Sequence, residues 1–423
     1  MITAVAVIII FVAVIFSIFR FAIPYVTHYG DTIEVELSKQ FDMKVEIDEV
    51  DADVSWLTPR LNLLGVRISD PKSGKQVFSA DEVNLGLGWQ QSFRNMRPEL
   101  GFVSLVGIDL HAQRKLNGDL VIQGFTIPHA GSDTSGMPPA LLAFLENSSV
   151  YVVDSALQWH DEKNNDQQLQ LINVNLALLN DAPGHKLSID ADLPEDYGQH
   201  LNLVFDIEGP LNQLASWKGR IFAGVRGLRL KRWLDDYWQL VSFNGSGRVD
   251  ASVWLDWEGE LVNTIDVDVT GEDMNINYLE RDVRSWQLQH LGGQFRWQRT
   301  DNGWDLDVRN LLMQRNELAW PQTGDFSFQY HAVDAYVEMQ SSFVRIQDVA
   351  YLGGLVSRFV PIQDFDWNRM VDVYQPQGDL SQLALFVPLA APQDSSIRGQ
   401  FRNLGYQSDG VLPAVQGLDG SLS

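Results

Sequence analysis

The residue types that most often carry chemistry are scattered through this 423-residue chain. Its eight histidines are His28, His111, His129, His160, His185, His200, His290 and His331. No two of them lie within four residues of each other, so the sequence offers no local metal-binding pair. There are no cysteines. Disulfide scaffolds, thiol nucleophiles and zinc–thiolate sites are therefore absent together, and the composition suits an oxidising compartment. The chain contains no H-E-x-x-H, no G-x-S-x-G and no Walker A loop. Gly131-Ser132-Asp133-Thr134-Ser135-Gly136 resembles a nucleophile elbow in composition, but its spacing is wrong. Asp235-Asp236 reads as a solvated pair on a helix surface. Asn147-Ser148-Ser149 is a glycosylation sequon with nothing beside it to give it meaning. The expectation is no catalytic residue, no cofactor and no metal. The net charge of −24 repels nucleic acid, and no basic stripe offsets it.

The elements around these residues follow from hydrophobic patterning. Met1 to Phe19 carries no charged side chain, and at about 1.5 Å per residue it spans roughly 28 Å, one hydrocarbon core. It reads as an uncleaved transmembrane anchor within residues 1–25, since Arg20-Phe21-Ala22-Ile23-Pro24-Tyr25 is a poor cleavage context. Arg20 alone does not settle orientation by charge. Asp31 to Phe41 is expected to be a short amphipathic helix with Ile33, Leu37 and Phe41 on one face. The period then changes to two. Val83, Leu85, Leu87 and Trp89 alternate with smaller or polar residues. So do Leu187, Ile189, Ala191 and Leu193, and then Leu201, Leu203, Phe205 and Ile207. The same alternation runs through Val249 to Trp257, Ile265 to Val269, Trp304 to Val308 and Phe326 to Tyr330. Such alternation means antiparallel sheet with one apolar and one wet face. Asn117-Gly118 and Asn302-Gly303 read as two-residue hairpin turns. Helices are expected at Pro138 to Glu146, at Lys231 to Leu240 and through Trp367 to Tyr374. His129 to Met137 is polar, glycine- and serine-rich, and reads as a linker. It separates an α+β module at 26–128 from a β region at 138–423. The last residues, Leu418 to Ser423, read as the start of a strand or hairpin, as in a fragment.

A long sheet with one apolar face must cover that face. A second sheet, covering helices or curling into a groove would each do so. Helices are too few for about twenty strands. Sandwich packing is the ordinary solution. A curled open sheet needs a ligand to fill it, and beside a membrane the natural ligand is an acyl chain. About twenty strands at roughly 4.8 Å each would make a trough near 100 Å long. In that reading Leu203, Phe205, Val253, Leu255, Trp257, Ile265, Val267 and Val269 line the groove. Asp190, Asp206, Asp256, Asp266 and Asp268 face water. The competing reading is a packed β-sandwich serving as a non-catalytic envelope assembly module. The Trp-rich helix at Lys231 to Leu240 reads as a lid on the sheet or a membrane-surface contact.

Several segments, in order, carry a family resemblance. After the anchor come Phe41-Asp42-Met43-Lys44-Val45-Glu46-Ile47 and Pro59-Arg60-Leu61-Asn62-Leu63-Leu64-Gly65-Val66-Arg67-Ile68-Ser69-Asp70. Phe78-Ser79-Ala80-Asp81-Glu82-Val83, Leu105-Val106-Gly107-Ile108-Asp109-Leu110 and Leu116-Asn117-Gly118-Asp119-Leu120 follow. Gln377-Gly378-Asp379-Leu380, Gly399 to Leu404 and Leu412 to Leu422 fit a recurrent hairpin element. The chain resembles the N-terminal part of the YhdP branch of the AsmA-like superfamily. The resemblance implies an inner-membrane anchor, a periplasmic body and a repeating β-groove (β-taco) fold. It implies phospholipid transport between inner and outer membranes and upkeep of the outer-membrane barrier. Its partners would be phospholipid acyl chains, the inner membrane and outer-membrane or envelope proteins, with no catalytic residues and no cofactor. Two features depart from the branch. No basic residues precede the apolar run, and family members are much longer, so this chain corresponds to the inner-membrane part of a bridge.

Overall fold

The computed structural model describes residues 30–422 apart from 42, 56–57, 89–91, 93–95, 97–99, 123–124, 128–147, 165, 182–183, 210–215, 237–242, 260, 279–284, 316–317, 349–372, 409 and 411–412. The expected anchor, the linker, the helix at 138–146 and most of the helix at 367–374 lie outside the described residues. Among the described residues no helix is long and apolar enough to cross a membrane. The protein is mainly β, with mostly antiparallel pairing and few helices. Its residues group into two compact units, the first running to Leu228 and the second starting at Arg229.

The first unit opens with helix α1 (Gly30–Phe41), as the spacing of Ile33 and Leu37 predicts. Ile33 packs on the buried trio Val50, Leu63 and Val66. Two side chains of the helix cap the backbone beyond it. Glu34 accepts from the Ile47 amide at 2.6 Å and Ser38 from the Val45 amide at 3.0 Å. The strands are β1 (Lys44–Glu46), β2 (Glu49–Ser55), β3 (Thr58–Ser69), β4 (Gln76–Leu87), β5 (Leu100–Val106), β6 (Asp109–Arg114), β7 (Leu120–Ile122), β8 (Phe125–Ile127), β9 (Ser149–Asp161), β10 (Gln167–Asp181), β11 (Gly184–Asp192), β12 (His200–Glu208) and β13 (Lys218–Arg229). β1 and β2 lie end to end along β3, and β4 and β5 follow. β5 and β6 then pair, in parallel, with β9, and β10 to β13 continue as a meander. The parallel step departs from the all-antiparallel expectation. Alternation gives no strand direction, and the chain between β6 and β9 is long enough to cross over.

A short helix, α2 (Leu230–Asp236), falls at the changeover between units. It covers the first part of the helix expected at Lys231 to Leu240, whose last four residues lie outside the described residues. The second unit contains β14 (Phe243–Glu258), β15 (Leu261–Tyr278), β16 (Ser285–Thr300), β17 (Gly303–Arg315), β18 (Leu318–Ala319), β19 (Gly324–His331), β20 (Tyr336–Arg345), β21 (Gln377–Pro388), β22 (Ser396–Tyr406) and β23 (Val415–Leu422). Each pairs antiparallel with the next, except that β17 pairs along its length with both the short β18 and β19.

Both predicted turns exist with shifted residues. Thr300 pairs with Gly303, so the two-residue loop is Asp301-Asn302, one position earlier than expected. At the other turn the Lys115 amide meets the Asp119 carbonyl and the Gly118 amide meets the Lys115 carbonyl, each at 2.8 Å. That makes a three-residue loop with Gly118 at φ +95°, the geometry of a turn closed by a left-handed residue.

The strands are kinked at recurring positions. Gly65, Gly107, Asp154, Asn173, Asp273, Asn310, Gln382 and Asn403 all have φ between +46° and +65°. Glycine, asparagine and aspartate tolerate this left-handed region best, and Gln382 is the exception to that chemistry. At Gly65 a Cβ would stand 2.1 Å from the Asp48 carboxylate, and at Gly107 it would stand 2.0 Å from that of Asp81. Ladder register shifts at Leu171/Val174, Val308/Leu311, Ser381/Ala384 and Phe401/Leu404 mark the bulges. A bulge bends its strand and leaves an amide without a ladder partner. The next strand supplies one. The Asp154 amide donates to Asn175 at 3.2 Å, the Asn310 amide to Asp325 at 2.9 Å and the Asn403 amide to Asp419 at 2.7 Å.

The fully buried core lies at and beyond these kinks. In the second unit it includes Met274, Leu288, Leu311, Met313, Trp320, Phe343 and Val344. Asp348, 2% exposed, is held there by Arg315 at 2.8 Å and by the Trp320 indole N–H at 2.7 Å. Two predictions follow from the kinks and from this buried charge. Asp325→Ala is expected to cost about 1 kcal/mol and Asn310→Val about 1–2 kcal/mol, while Asn310→Gly stays near neutral, all read from urea unfolding. Arg315→Met strands a buried carboxylate and is expected to cost about 3–5 kcal/mol in the same assay.

Candidate functional site

Register pairing places alternate residues of successive strands in rows on one face. In the first unit one row runs Ala52, Leu61, Leu85, Val103, Val150, Leu178, Leu187, Phe205 and Ile221, crossing nine strands. A second runs beside it through Val50, Leu63, Val83, Leu105, Val152, Leu176, Ile189, Leu203 and Ala223. In the second unit Val253, Val267, Phe295, Val308 and Phe326 form one row. Leu255, Ile265, Trp297, Leu306, Phe328, Met339, Leu385 and Ile397 form the other. Ala251 and Val269 continue this face on β14 and β15.

Burial is graded across the face. The row nearer the kinks contains fully buried members, such as Leu63, Val152 and Val308. Every member of the Ala52–Ile221 row is half-buried, and the Leu255–Ile397 row runs from half-buried to exposed. All eight sequence-predicted lining residues stand on these apolar faces. Leu203 and Phe205 belong to the first unit, while Val253, Leu255, Trp257, Ile265, Val267 and Val269 belong to the second. All eight are half-buried, including the indole of Trp257. Leu306, Trp297, Phe328 and Met339 share the face and were missed as candidates, because alternation identifies a strand's apolar side without telling which strands are neighbours.

The opposite face is charged. Arg296 meets Asp266 at 3.0 Å, Gln294 meets Asp268 at 3.0 Å, Arg248 meets Glu272 at 2.8 Å and Thr264 donates to Asp256 at 2.7 Å. Asp206 is exposed, and Asp190 lies between His200 at 2.9 Å and Asn202 at 3.2 Å. A hollow of about 240 Å³ on this face is bordered by Trp254, Asp266, Asp268, Gln294, Arg296 and Arg309. Trp254 is an exposed tryptophan standing among charges. Among the described residues no group of three or more metal-ligating side chains comes together. His160 pairs with Asp166, His185 bonds Asn180 at 2.7 Å, and His200 touches Asp190 and Asp192.

Each unit is thus a β-sheet layer with one half-buried apolar face and one charged face, the class of protein that the register defines. The chain belongs to the YhdP family, whose model, described as YhdP protein, matches residues 1–423. It is 22% identical over 453 residues to the intermembrane phospholipid transporter YhdP of Escherichia coli (strain K12), a match covering 99% of this chain and 32% of that protein. The chain thus spans about a third of the length of that relative. No solved structure matches it.

The charged face makes stability sensitive to acid. Hydrogen bonds from His200 and then Asn173 hold the Asp192 carboxyl below the usual carboxylate range. A carboxyl depressed on folding stabilises the fold above its unfolded value, about pH 4, and loses that contribution as pH falls through the folded value. Asp192→Asn is therefore expected to flatten the fall in urea midpoint below about pH 4, with little change in slope between pH 6 and 7.

Proposed function

We propose that this chain is the inner-membrane portion of a periplasmic conduit that carries phospholipid between the inner and outer membranes. In doing so it supports the outer-membrane barrier. Residues 1–25 would be its single-pass anchor, with the body in the periplasm. The observation that carries this reading is the row of half-buried apolar side chains crossing nine strands in the first unit, with its counterpart in the second. Family membership and the name of the Escherichia coli relative support the choice of phospholipid as cargo.

In the conduit, Leu203, Phe205, Val253, Leu255, Trp257, Ile265, Val267 and Val269 contact acyl chains. The work is done by area rather than by chemistry. Each methylene laid on the face gains about 0.8 kcal/mol, and no single contact is strong enough to trap a sliding chain. The kinks curve the sheet around the chain, and the charged rows keep the outer surface in water. A packed sandwich acting in envelope assembly would instead drive Trp257, Trp297 and Phe328 into full burial between two sheets, whereas all three are half-buried.

The test is mass spectrometry of lipids carried by residues 26–423 purified without detergent. Phospholipid is expected on the wild type and is expected to be lost in Trp257→Asp and Val267→Asp variants that still unfold cooperatively. A stably folded wild type free of lipid would defeat the conduit.

A further inference from the structure

One end of the second unit's apolar face differs from the rest. Arg299 pairs in register with Trp304, so it stands on the same face as Trp297 and Leu306, one row further toward the hairpin ends. Trp304 pairs with Tyr330 in that row, and Tyr330 with Val337. The Trp304 ring is stacked on Phe328 with centroids 5.2 Å apart and tilted against Tyr330 at 5.9 Å. The Arg299 guanidinium is half-buried and donates to the Asn263 side-chain carbonyl at 2.8 Å. Among the described residues no carboxylate pairs with it. Arg60, Arg226, Arg309, Arg398 and Arg402 likewise form no salt bridge among the described residues, but all five are exposed, whereas Arg299 is half-buried on the apolar face. Arg67, Arg114, Arg248, Arg296, Arg315 and Arg345 all pair with Asp or Glu. Among the described residues, the corresponding end of the first unit's face carries no arginine. There His185, Asn180 and Ser148 satisfy one another and the backbone, with His185 to Asn180 at 2.7 Å, Asn180 to the Ser148 carbonyl at 2.6 Å and Ser148 to the Leu100 carbonyl at 2.8 Å.

A cation without a carboxylate, set at the edge of an apolar surface beside tryptophan and tyrosine, has the layout of a membrane interface. The geometry points to a phosphate-binding rim. Arg299, with Asn263 holding its guanidinium in place, receives the phosphodiester of a phospholipid, and the acyl chains lie along the strands past Trp297 and Phe295. The length fits. From Arg299 to the register shift at Gly292/Gln294 is about six residues, roughly 20 Å of strand, against about 15 Å for the hydrocarbon of one bilayer leaflet. A guanidinium suits a phosphate oxygen pair better than an ammonium does. This inference rests on the conduit reading and adds to it a fixed orientation, headgroup at the hairpin ends and tails toward the kinks.

The experiment uses the full chain held in amphipol. It is titrated with a fluorescent phosphatidylglycerol and with a fluorescent diacylglycerol of the same acyl chains, and inorganic phosphate is added as competitor. Arg299→Gln is expected to weaken phosphatidylglycerol binding about tenfold, the worth of one charge-assisted hydrogen bond, and to leave diacylglycerol unchanged. Arg299→Lys is expected to fall in between. Arg296→Gln, on the opposite face of the same strand, is expected to change neither. Equal phosphatidylglycerol affinity in wild type and Arg299→Gln, or equal loss for both lipids, would overturn the rim while leaving the conduit standing. Displacement of phosphatidylglycerol by low-millimolar inorganic phosphate would make the site one for free anions and would also overturn it. A wild type that binds neither lipid removes the rim and the conduit together. Should Arg299→Gln fail to fold, the wild type decides. A preference for phosphatidylglycerol that weakens with added salt supports the rim, and equal affinity for the two lipids refutes it.

Discussion

Everything in this molecule depends on strand register. Side chains alternate across a strand with a period of two, so a row of apolar residues survives from strand to strand only if every pairing is held to the residue. Leu187 opposite Phe205 opposite Ile221, and Ile265 opposite Trp297 opposite Leu306, are such alignments. A slip of one residue in any strand would turn its leucines and tryptophans to the charged side and break the row. The left-handed kinks oppose that slip. Each is specific to one residue, and at Asp154, Asn310 and Asn403 the amide is matched to an acceptor on the following strand. The devices that bend the strands therefore also pin their register.

The two faces then divide the labour. Cross-strand pairs such as Arg296 with Asp266 spread charge along one face, where solvent screens it and each pair adds little to stability. Their value is in solubility, and in keeping this face from becoming a second apolar surface. The apolar face is graded instead. It is fully buried near the kinks, where Met313, Trp320 and Phe343 pack, and half-open toward the hairpin ends. In the proposed conduit the closed core carries the fold and the half-open rows meet the lipid.

Much of this was legible in the sequence, for reasons that can be named. Val253, Leu255 and Trp257 declare their common side by alternation alone, and so do Ile265, Val267 and Val269. Helix α1 was legible from Ile33 and Leu37, and all eight expected lining residues fall on apolar faces. Three kinds of feature were not legible. Neighbour identity was one, because the parallel pairing of β5 and β6 with β9 depends on a crossover that local patterning does not encode. Turn position was another, because Asn302-Gly303 is a strong turn signal although the loop closes one residue earlier. The third was Arg299, which ordinary pattern reading discards as a charge interrupting an apolar run. Its significance appears only when Trp304 is found opposite it.

The central claim is that the apolar face, and not the charged one, carries lipid. The most direct measurement places a photo-crosslinking amino acid at single positions of the full chain expressed in cells, then looks for lipid adducts by mass spectrometry. The positions would be Leu306, Val267 and Phe205 on the apolar faces and Asp268, Gln340 and Asp206 on the charged ones. The account predicts phospholipid adducts at the first three and none at the others. Adducts spread evenly over both faces, or protein adducts in place of lipid at Leu306 and Val267, would contradict it.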